Sequence, residues 1–519
     1  MKVVSGKQMR QLEQAAIEEL GIPSVLLMEN AAICLAKHCF RLIDGIKAPK
    51  ILIAAGAGNN GGDGLALARH LHIKGIETKL IFIESASAGC DAAVNLAIVK
   101  KIGIPIQQCA KNLIQNAGIL YEIENDIKTH DLTVDAMLGT GLDRNVDGSY
   151  KQLTEMINRY AKYVLSVDIP TGIHSDTGQI MDCAVQADET VTFCSPKIGL
   201  YAYPGAVCSG KIHVEDISIP HSLIDTIDTE AEILTDKEAA DLLPVRALRS
   251  NKSCFGTAAV FAGSNEMPGA AALACSASYK AGAGLICACV LSRVADAINH
   301  WQREVITHNV PEKNGMYFKG SADASGEEIR RADVIVIGPG IGRGKDVTEF
   351  VHELIKTVHV PLVLDADALF AVSEDITILK QLKAPCVITP HPGEMSRLIG
   401  LPVSEILSNT IDVAVRFAKE FNVITLLKDA HTIIANPNGK YYINTTGNNA
   451  LSKAGTGDVL TGIIAGLIAQ GLDVFTASVL GAYYHGKAGE AAALKKSCYG
   501  VMAEDLLEEA ARIINNNPE

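Results

Sequence analysis

The feature that most constrains this chain is a repeated alternation of short, β-branched apolar runs with segments of helical periodicity. From Lys50 onward KILIAAG, TKLIFIES, LTVDAML, KYVLSVDIP and ETVTFCS are nearly uninterrupted apolar runs. A strand with one wet face alternates apolar and polar residues, so an unbroken run is expected only where both faces are covered. Between the runs, Gly64 to Lys74 and Asp91 to Lys101 repeat apolar residues at helical spacing. Strand, helix, strand in series predicts a parallel sheet with helices on both sides. The first forty or so residues read as one or two helices packed on that sheet.

The pattern fades after KIHVEDISIP, and Pro220 to Asp236 reads as a polar, non-strand connection. A second alternation follows in TAAVFAGS, ADVIVIGPG, PLVLDAD, APCVITP and NVITLLKD, closing with helices from about Gly455 to Ile514. A length of 519 residues exceeds one ordinary core. The expectation is two α/β domains, 1–222 and 236–519, each with three α/β/α layers.

The charge balance narrows the partners. The net charge is -13 and no lysine or arginine run is present, which argues against nucleic acid. A small anion remains compatible, because backbone N–H groups at helix N-termini hold phosphate without net positive charge. The 13 cysteines show no CxxC pair, which suits free thiols in a reducing compartment. Cys287 and Cys289, in an apolar Ala- and Gly-rich stretch, read as core residues. The opening MKVVSGKQMRQLEQAAIEEL lacks the apolar core of a signal peptide. Val459 to Tyr484 is interrupted by Asp473 and glycines, too polar for a membrane span. A cytoplasmic enzyme is expected, with no membrane contact.

In the N-terminal half, KILIAAG runs into Ala57-Gly58-Asn59-Asn60-Gly61-Gly62-Asp63-Gly64 and then a helix. Strand, glycine loop, helix is the arrangement that aims backbone N–H groups at an anion. It matches neither the dinucleotide fingerprint nor the P-loop. Two further signals end later strands: Asp135, before Leu138-Gly139-Thr140-Gly141, and Asp168, before Pro170-Thr171-Gly172. A lone strand-end aspartate is often a cap or turn former. Two of them, each followed by Thr and Gly, read better as part of a ligand site. Asn60, Asp135, Asp168 and Thr171 offer oxygen donors to a hard cation or a polar ligand.

In the C-terminal half the sharpest motif is Ala454-Gly455-Thr456-Gly457-Asp458, entering an apolar helix. Glycines at a helix start expose N–H donors to developing negative charge. An aspartate in that first turn is placed to deprotonate a hydroxyl attacking a phosphoryl group. Other signals fall at strand ends: Gly338-Pro339-Gly340-Ile341-Gly342, Asp365-Ala366-Asp367, Thr389-Pro390-His391-Pro392-Gly393-Glu394 and Lys428-Asp429-Ala430-His431-Thr432.

With these residues in view, NNGGDG, VDAMLGTGL and VDIPTGI resemble the epimerase domain of the bifunctional NAD(P)H-hydrate repair enzymes. The second half resembles their ribokinase-like dehydratase domain from Asp236 to the C-terminus. The resemblance implies a Rossmann-like first domain that interconverts R and S epimers at C6 of the hydrated nicotinamide ring. It places substrate on Asn59, Asn60, Gly61, Gly62, Asp63, Gly139, Thr140, Gly141, Leu142, Asp143, Arg144, Asn145, Tyr150 and Asp168, with Asp168 transferring the proton. It implies K⁺ held by Asn60, Asp135 and Thr171.

The ribokinase-like second domain would use ADP or ATP to remove the added water. Lys428, Asp429, Ala430, His431, Thr432 and Gly457 match the adenine-nucleotide site. Gly340, Gly342, His391 and catalytic Asp458 match contacts to the hydrate, and Glu394 matches a carboxylate that orients a Mg²⁺-bound water. The implied partners are NADHX, NADPHX and ADP or ATP, within a homo-oligomer. The chain departs from the family at Asn251-Lys252-Ser253, where His-Lys-Gly is common, and at Asn448 to Ala454, usually richer in glycine. The competing reading is a small-alcohol (vitamin-precursor) kinase fused to a nucleotide-binding regulatory module, since one fold serves many chemistries.

Overall fold

The computed structural model describes residues 1–83, 91–110, 112 and 115–515. The chain divides into two compact units, Lys2–Thr229 and Glu230–Glu519 with Met1.

The first unit opens with α1 (Gly6–Glu18) and α2 (Ser24–Leu42), the two helices expected there. It continues through β1 (Lys50–Ala55), α3 (Asn59–Ile73), β2 (Glu77–Ile83), α4 (Asp91–Ile102), β3 (Ile106–Cys109), α5 (Ala117–Thr129) and β4 (Leu132–Ala136). It closes with α6 (Gly148–Tyr160), β5 (Val164–Val167), β6 (Glu189–Phe193) and β7 (Lys211–Glu215). The strands form one parallel sheet in the order β3-β2-β1-β4-β5-β6-β7.

β1 shows why its run is unbroken. Ile51, Ile53 and Ala55 face a core shared with α1, α2 and α3, while Leu52 and Ala54 face a second core with α5 and α6. Successive side chains enter opposite layers, so every position must be apolar. Because β1 pairs with β2 on one side and β4 on the other, the chain leaves these two neighbours in opposite directions. A crevice opens beyond their C-terminal ends.

Three expectations need correction. α3 begins at Asn59, so Asn59 to Asp63 are its first turn rather than a loop before it. β3 was not expected: IQQC is a short edge strand of half-polar residues, without the run that marks the buried strands. Pro220 to Asp236 is not free of regular structure, since it holds the short helix His221–Ile224 and a two-residue strand, β8 (Ala231–Glu232). Glu84 and Ser85, the end of TKLIFIES, lie outside the described residues.

The second unit adds β9 (Thr257–Phe261), β10 (Leu285–Val290), β11 (Ile306–Asn309), β12 (Val334–Ile337), β13 (Leu362–Leu364) and β14 (Cys386–Ile388). β15 (Ile424–Leu427), β16 (Thr432–Ala435) and β17 (Tyr441–Asn444) complete it. The ten-stranded order is β11-β10-β9-β12-β13-β14-β15-β16-β17-β8. It is parallel from β11 to β15, then turns antiparallel through β16 and β17. Cys289 is buried on β10 and Cys287 half-buried.

The helix Thr456–Ala469 is buried from Val459 to Ala469 and packs on Pro268–Lys280. Its glycines permit the approach: a Cβ at Gly462 would stand 2.3 Å from the Ala274 carbonyl oxygen, and one at Gly466 2.4 Å from that of Ser278. The apolar, glycine-rich composition thus belongs to a core helix. Among the described residues, no helix is long and apolar enough to cross a membrane.

Candidate active sites in the two units

The crevice of the first unit deepens into a cavity of about 470 Å³. Arg10 and Glu13 of α1, Ala57 to Asn60 and Asp63, Met137 to Asp147, Tyr150, Asp168 and Phe193 line it. These include every residue expected to hold substrate except Gly61 and Gly62. Those two stand against neighbouring backbone and side chains. A Cβ on Gly61 would lie 1.8 Å from the Gly56 carbonyl oxygen, and the Gly62 N–H donates within the helix to Gly58 at 2.9 Å. Gly61 therefore lets the first turn of α3 close onto the residue after β1, and Gly62 lets it approach α2, where an added Cβ would lie 2.5 Å from Met28 Cε.

Asp168 follows β5 at a left-handed φ of 63°, a conformation that costs a non-glycine residue on the order of 1–3 kcal/mol. Its Oδ1 accepts from Thr192 Oγ1 at 3.0 Å and from the ammonium of Lys197. Lys197 is 1% exposed and also donates to Thr192 Oγ1 at 3.0 Å and the Phe193 carbonyl at 3.2 Å. Sequence reasoning missed Lys197: a single lysine after a strand carries no spacing signal. It also missed Glu13, one more acid on an amphipathic helix. Burial, reinforced by the charges of Asp168 and Glu13, holds the Asp63 carboxyl well above the usual carboxylate range. Burial and then the Asp168 charge raise Glu13, against smaller opposing effects of Lys197 and Arg10.

Behind the cavity, Asp135 is fully buried. It accepts from Thr171 N at 2.8 Å, Thr171 Oγ1 at 2.7 Å, Ser166 Oγ at 3.0 Å and Met137 N at 3.3 Å. No lysine or arginine among the described residues pairs with it, and burial raises its carboxyl despite these donors. Asn60 is buried with neither its amide oxygen nor its amide nitrogen hydrogen-bonded. An unsatisfied buried amide and a buried carboxylate without a cationic partner fit a hard cation. His38, Glu189 and His213 also have metal-ligating spacing, but none lines the cavity. Arg41 already donates to Glu189 and lies 3.3 Å from His38 Nδ1, in the place a cation would take.

In the second unit, Gly455 at φ 89° starts the helix that carries Thr456, Gly457 and Asp458 in its first turn. Asp365, 2% exposed at the end of β13, accepts from Lys428 Nζ at 3.1 Å and Thr461 Oγ1 at 2.8 Å. Lys428 also stands 3.9 Å from Glu394. A Cβ on Gly457 would lie 3.7 Å from Lys428 Nζ and 3.8 Å from Asp365 Oδ2, which brings β13, β15 and the glycine turn together. Burial first, then the charges of Asp365 and Asp367, push the Asp458 carboxyl up to about 7, while Lys428 pulls it down.

Lys428 to His431 form the turn between β15 and β16, and Thr432 begins β16. Gly340 and Gly342 have φ of 64° and 86°, and the Gly342 N–H donates to Asp367 at 3.1 Å. His391 caps the helix Pro392–Ile399, its Nδ1 accepting from Gly393 N at 3.0 Å, while Glu394 Oε2 accepts from His391 N at 2.9 Å. The two departures from the family are capped turns. Asn251 accepts from Ser253 N at 2.9 Å, and Asn448 accepts from Ala450 N at 3.0 Å.

Fold and sites together define a two-unit α/β protein, with a ligand crevice at the switch point of one sheet and an aspartate at a glycine-rich helix start in the other. The YjeF-related N-terminus model matches residues 24–199, and the NAD(P)H-hydrate dehydratase model matches 258–512. The bifunctional NAD(P)H-hydrate repair enzyme Nnr of Moorella thermoacetica is 39% identical over 100% of this chain and 98% of its own. That of Escherichia coli is 30% identical over 98% of this chain and 92% of its own. A Bacillus subtilis ADP/ATP-dependent NAD(P)H-hydrate dehydratase, co-crystallised with ATP/Mg²⁺, is similar to 54% of this chain over 96% of its own, at 33% identity and TM-score 0.49. The chain belongs to the bifunctional NAD(P)H-hydrate repair enzyme family.

Proposed function

We propose that this chain repairs hydrated NADH and NADPH, epimerising the R and S hydrates in the first unit and dehydrating the S form in the second at the expense of ADP or ATP. The observation that carries the reading is a two-part division of carboxylates. Asp168 lines an open cavity beside a buried lysine, and Asp458 sits with a raised pKa at a helix start.

In the first unit Asn59, Asn60, Asp63, Gly139 to Asn145 and Tyr150 line the space for the hydrated dinucleotide, and Asp168 moves a proton at the ring hydroxyl. Gly61 and Gly62 shape that space from the first turn of α3. Asn60, Asp135 and Thr171 would hold K⁺, which supplies positive charge to a buried carboxylate that has none.

In the second unit Lys428 to Thr432 and Gly457 hold the adenine nucleotide, while Gly340, Gly342 and His391 face the hydrate. Asp458 takes the proton of the C6 hydroxyl as its oxygen attacks the terminal phosphorus, and the nucleotide leaves one phosphate shorter. The N–H groups of the first turn from Thr456 stabilise the developing charge. Loss of the new phosphate, with a proton from the adjacent ring carbon, restores the dihydropyridine. Glu394 Oε1, free of hydrogen bonds among the described residues, suits a water on Mg²⁺, which when bound neutralises phosphate charge. The test is the regain of dihydronicotinamide absorbance from a mixed R and S hydrate pool with ADP or ATP added. The pool should be consumed completely and only with nucleotide; nucleotide-independent regain contradicts the reading.

A further inference from the structure

Inverting a carbon that carries a hydroxyl requires one C–O bond to break and another to form on the opposite face. Hydroxide leaves poorly unless protonated, and water attacks poorly unless deprotonated, so two proton-transferring groups are needed. Asp168 supplies one. Its Oδ1 accepts from the Lys197 ammonium and from Thr192 Oγ1, which hold that oxygen in place at the cavity wall.

Glu13 lines the same cavity from another element, α1. That helix is fixed against the 139–141 turn. The Gly6 N–H donates to Asp176 Oδ1 at 2.6 Å, a Cβ on Gly6 would lie 3.0 Å from the Thr140 carbonyl oxygen, and Arg10 Nη1 donates to that same carbonyl at 3.3 Å. Arg10 and Glu13 are three residues apart and so share the helix face turned to the cavity. Among the described residues no hydrogen bond acts on the Glu13 carboxyl; the groups facing it are Arg10 on its own helix, Asp63 of α3, Asp168, Cys194 and Lys197. Burial and the Asp168 charge favour its protonated form. Two carboxyls lining one site, one held by an ammonium and the other without a hydrogen bond among the described residues, are the pattern of a base and an acid. Asp63, half-buried as Glu13 is, is also raised and lines the same cavity from the first turn of α3. Glu13 keeps some exposure, which the return of its proton from solvent requires.

We propose that Glu13 is the second catalytic residue of the epimerase, protonating the C6 hydroxyl as it leaves while Asp168 deprotonates the water that re-adds on the other face. The step balances. The C6–O bond breaks with its electron pair going to oxygen, the Glu13 proton completes a water, and the ring nitrogen lone pair forms N1=C6. Water then attacks C6, the N1=C6 electrons return to nitrogen, and Asp168 takes the proton. Solvent exchange resets both groups, and the reverse direction uses them in exchanged roles.

The inference rests on the epimerase reading above, and one experiment separates the two. The full chain, without ADP or ATP, is given purified R hydrate in ¹⁸O-water, and S hydrate is followed by chromatography and mass. If the wild type does not exceed the spontaneous rate, the epimerase reading fails. Given a wild-type rate, Glu13→Gln is expected to slow turnover roughly a hundredfold with little change in KM. The decline of activity at high pH, where Glu13 ionises, should disappear in the variant. Glu13→Asp, with the acid set back by one methylene, should give an intermediate rate, and new S hydrate should carry solvent oxygen. A Glu13→Gln protein that melts like wild type and epimerises at its rate overturns the proposal. So does product that retains its original oxygen.

Discussion

The two sites handle charge in opposite ways. Around the first, Glu13 and Asp63 face the cavity without an ion pair among the described residues, while Asp168 is neutralised by a buried lysine. Around the second, the charges are tied to one another: Asp365 to Lys428 and Thr461, Lys428 towards Glu394, and Asp367 to Arg343 and the Gly342 N–H. The difference follows from the chemistry each must do. Inversion at a hydroxyl-bearing carbon needs carboxyls that keep and release protons, and unpaired burial achieves that. Phosphoryl transfer needs charges fixed in advance around a polyanion, and a mutually paired network holds them still. Asp458 differs from these paired groups: burial and the Asp365 charge push it up to about 7, which suits the proton-moving role proposed for it.

The strongest way to break this comparison is to remove that exception. Asp458→Asn should lower nucleotide-dependent dehydration roughly a hundredfold or more, with adenine-nucleotide binding nearly unchanged. Epimerisation in the same protein should stay at the wild-type rate. Steady-state rates for both reactions on one preparation check this, and near-normal dehydration removes Asp458 from the mechanism.

A second variant disturbs the first unit without touching a charge. At Gly61 an added methyl would meet the Gly56 carbonyl oxygen at 1.8 Å, and that backbone cannot move aside. Gly61→Ala should cost about 3 kcal/mol of stability in the first unit. Thermal melting should show a lowered transition and weakened epimerisation, with dehydration retained below it. An unshifted melt would mean the turn has room the structure does not show.

The smallest effect concerns protonation in the second unit. A base must be deprotonated to work, and Asp458 is pushed up to about 7, so dehydration should rise with pH through about 7. At pH 6 the rate should be about tenfold below its plateau. Lys428 pulls that pKa down, so Lys428→Met should move the acid limb to higher pH. A limb near the ordinary aspartate value would show that burial and Asp365 do not govern Asp458.

Much of this architecture is legible in the chain. β1 reads as a strand because Ile51, Ile53 and Ala55 serve one core and Leu52 and Ala54 the other, so no polar residue fits. The glycine turn before Asp458 is legible because a helix start of small residues exposing N–H groups has few other uses. What the sequence hides is what only the fold assembles. Asn59 to Asp63 read as a loop because glycines disfavour helices, yet close approach to Gly56 overrides that preference. β3 and the β16–β17 hairpin are short and lie towards the sheet edges, without an unbroken apolar run. Glu13 and Lys197 look like ordinary charges, and only the packing of α1 and the loop after β6 brings them to Asp168.

The central claim is that the two units act in sequence on one substrate pool, and a progress curve tests it directly. Mixed R and S hydrate is supplied with ADP or ATP, and the dihydronicotinamide absorbance is followed beside a thermal melt. The wild type should regain it nearly to completion without a slow tail. Asp168→Ala, which spares the dehydratase site, should keep the fast phase for the S form and leave a second phase at the spontaneous epimerisation rate. A folded Asp168→Ala protein whose curve matches the wild type would contradict the account.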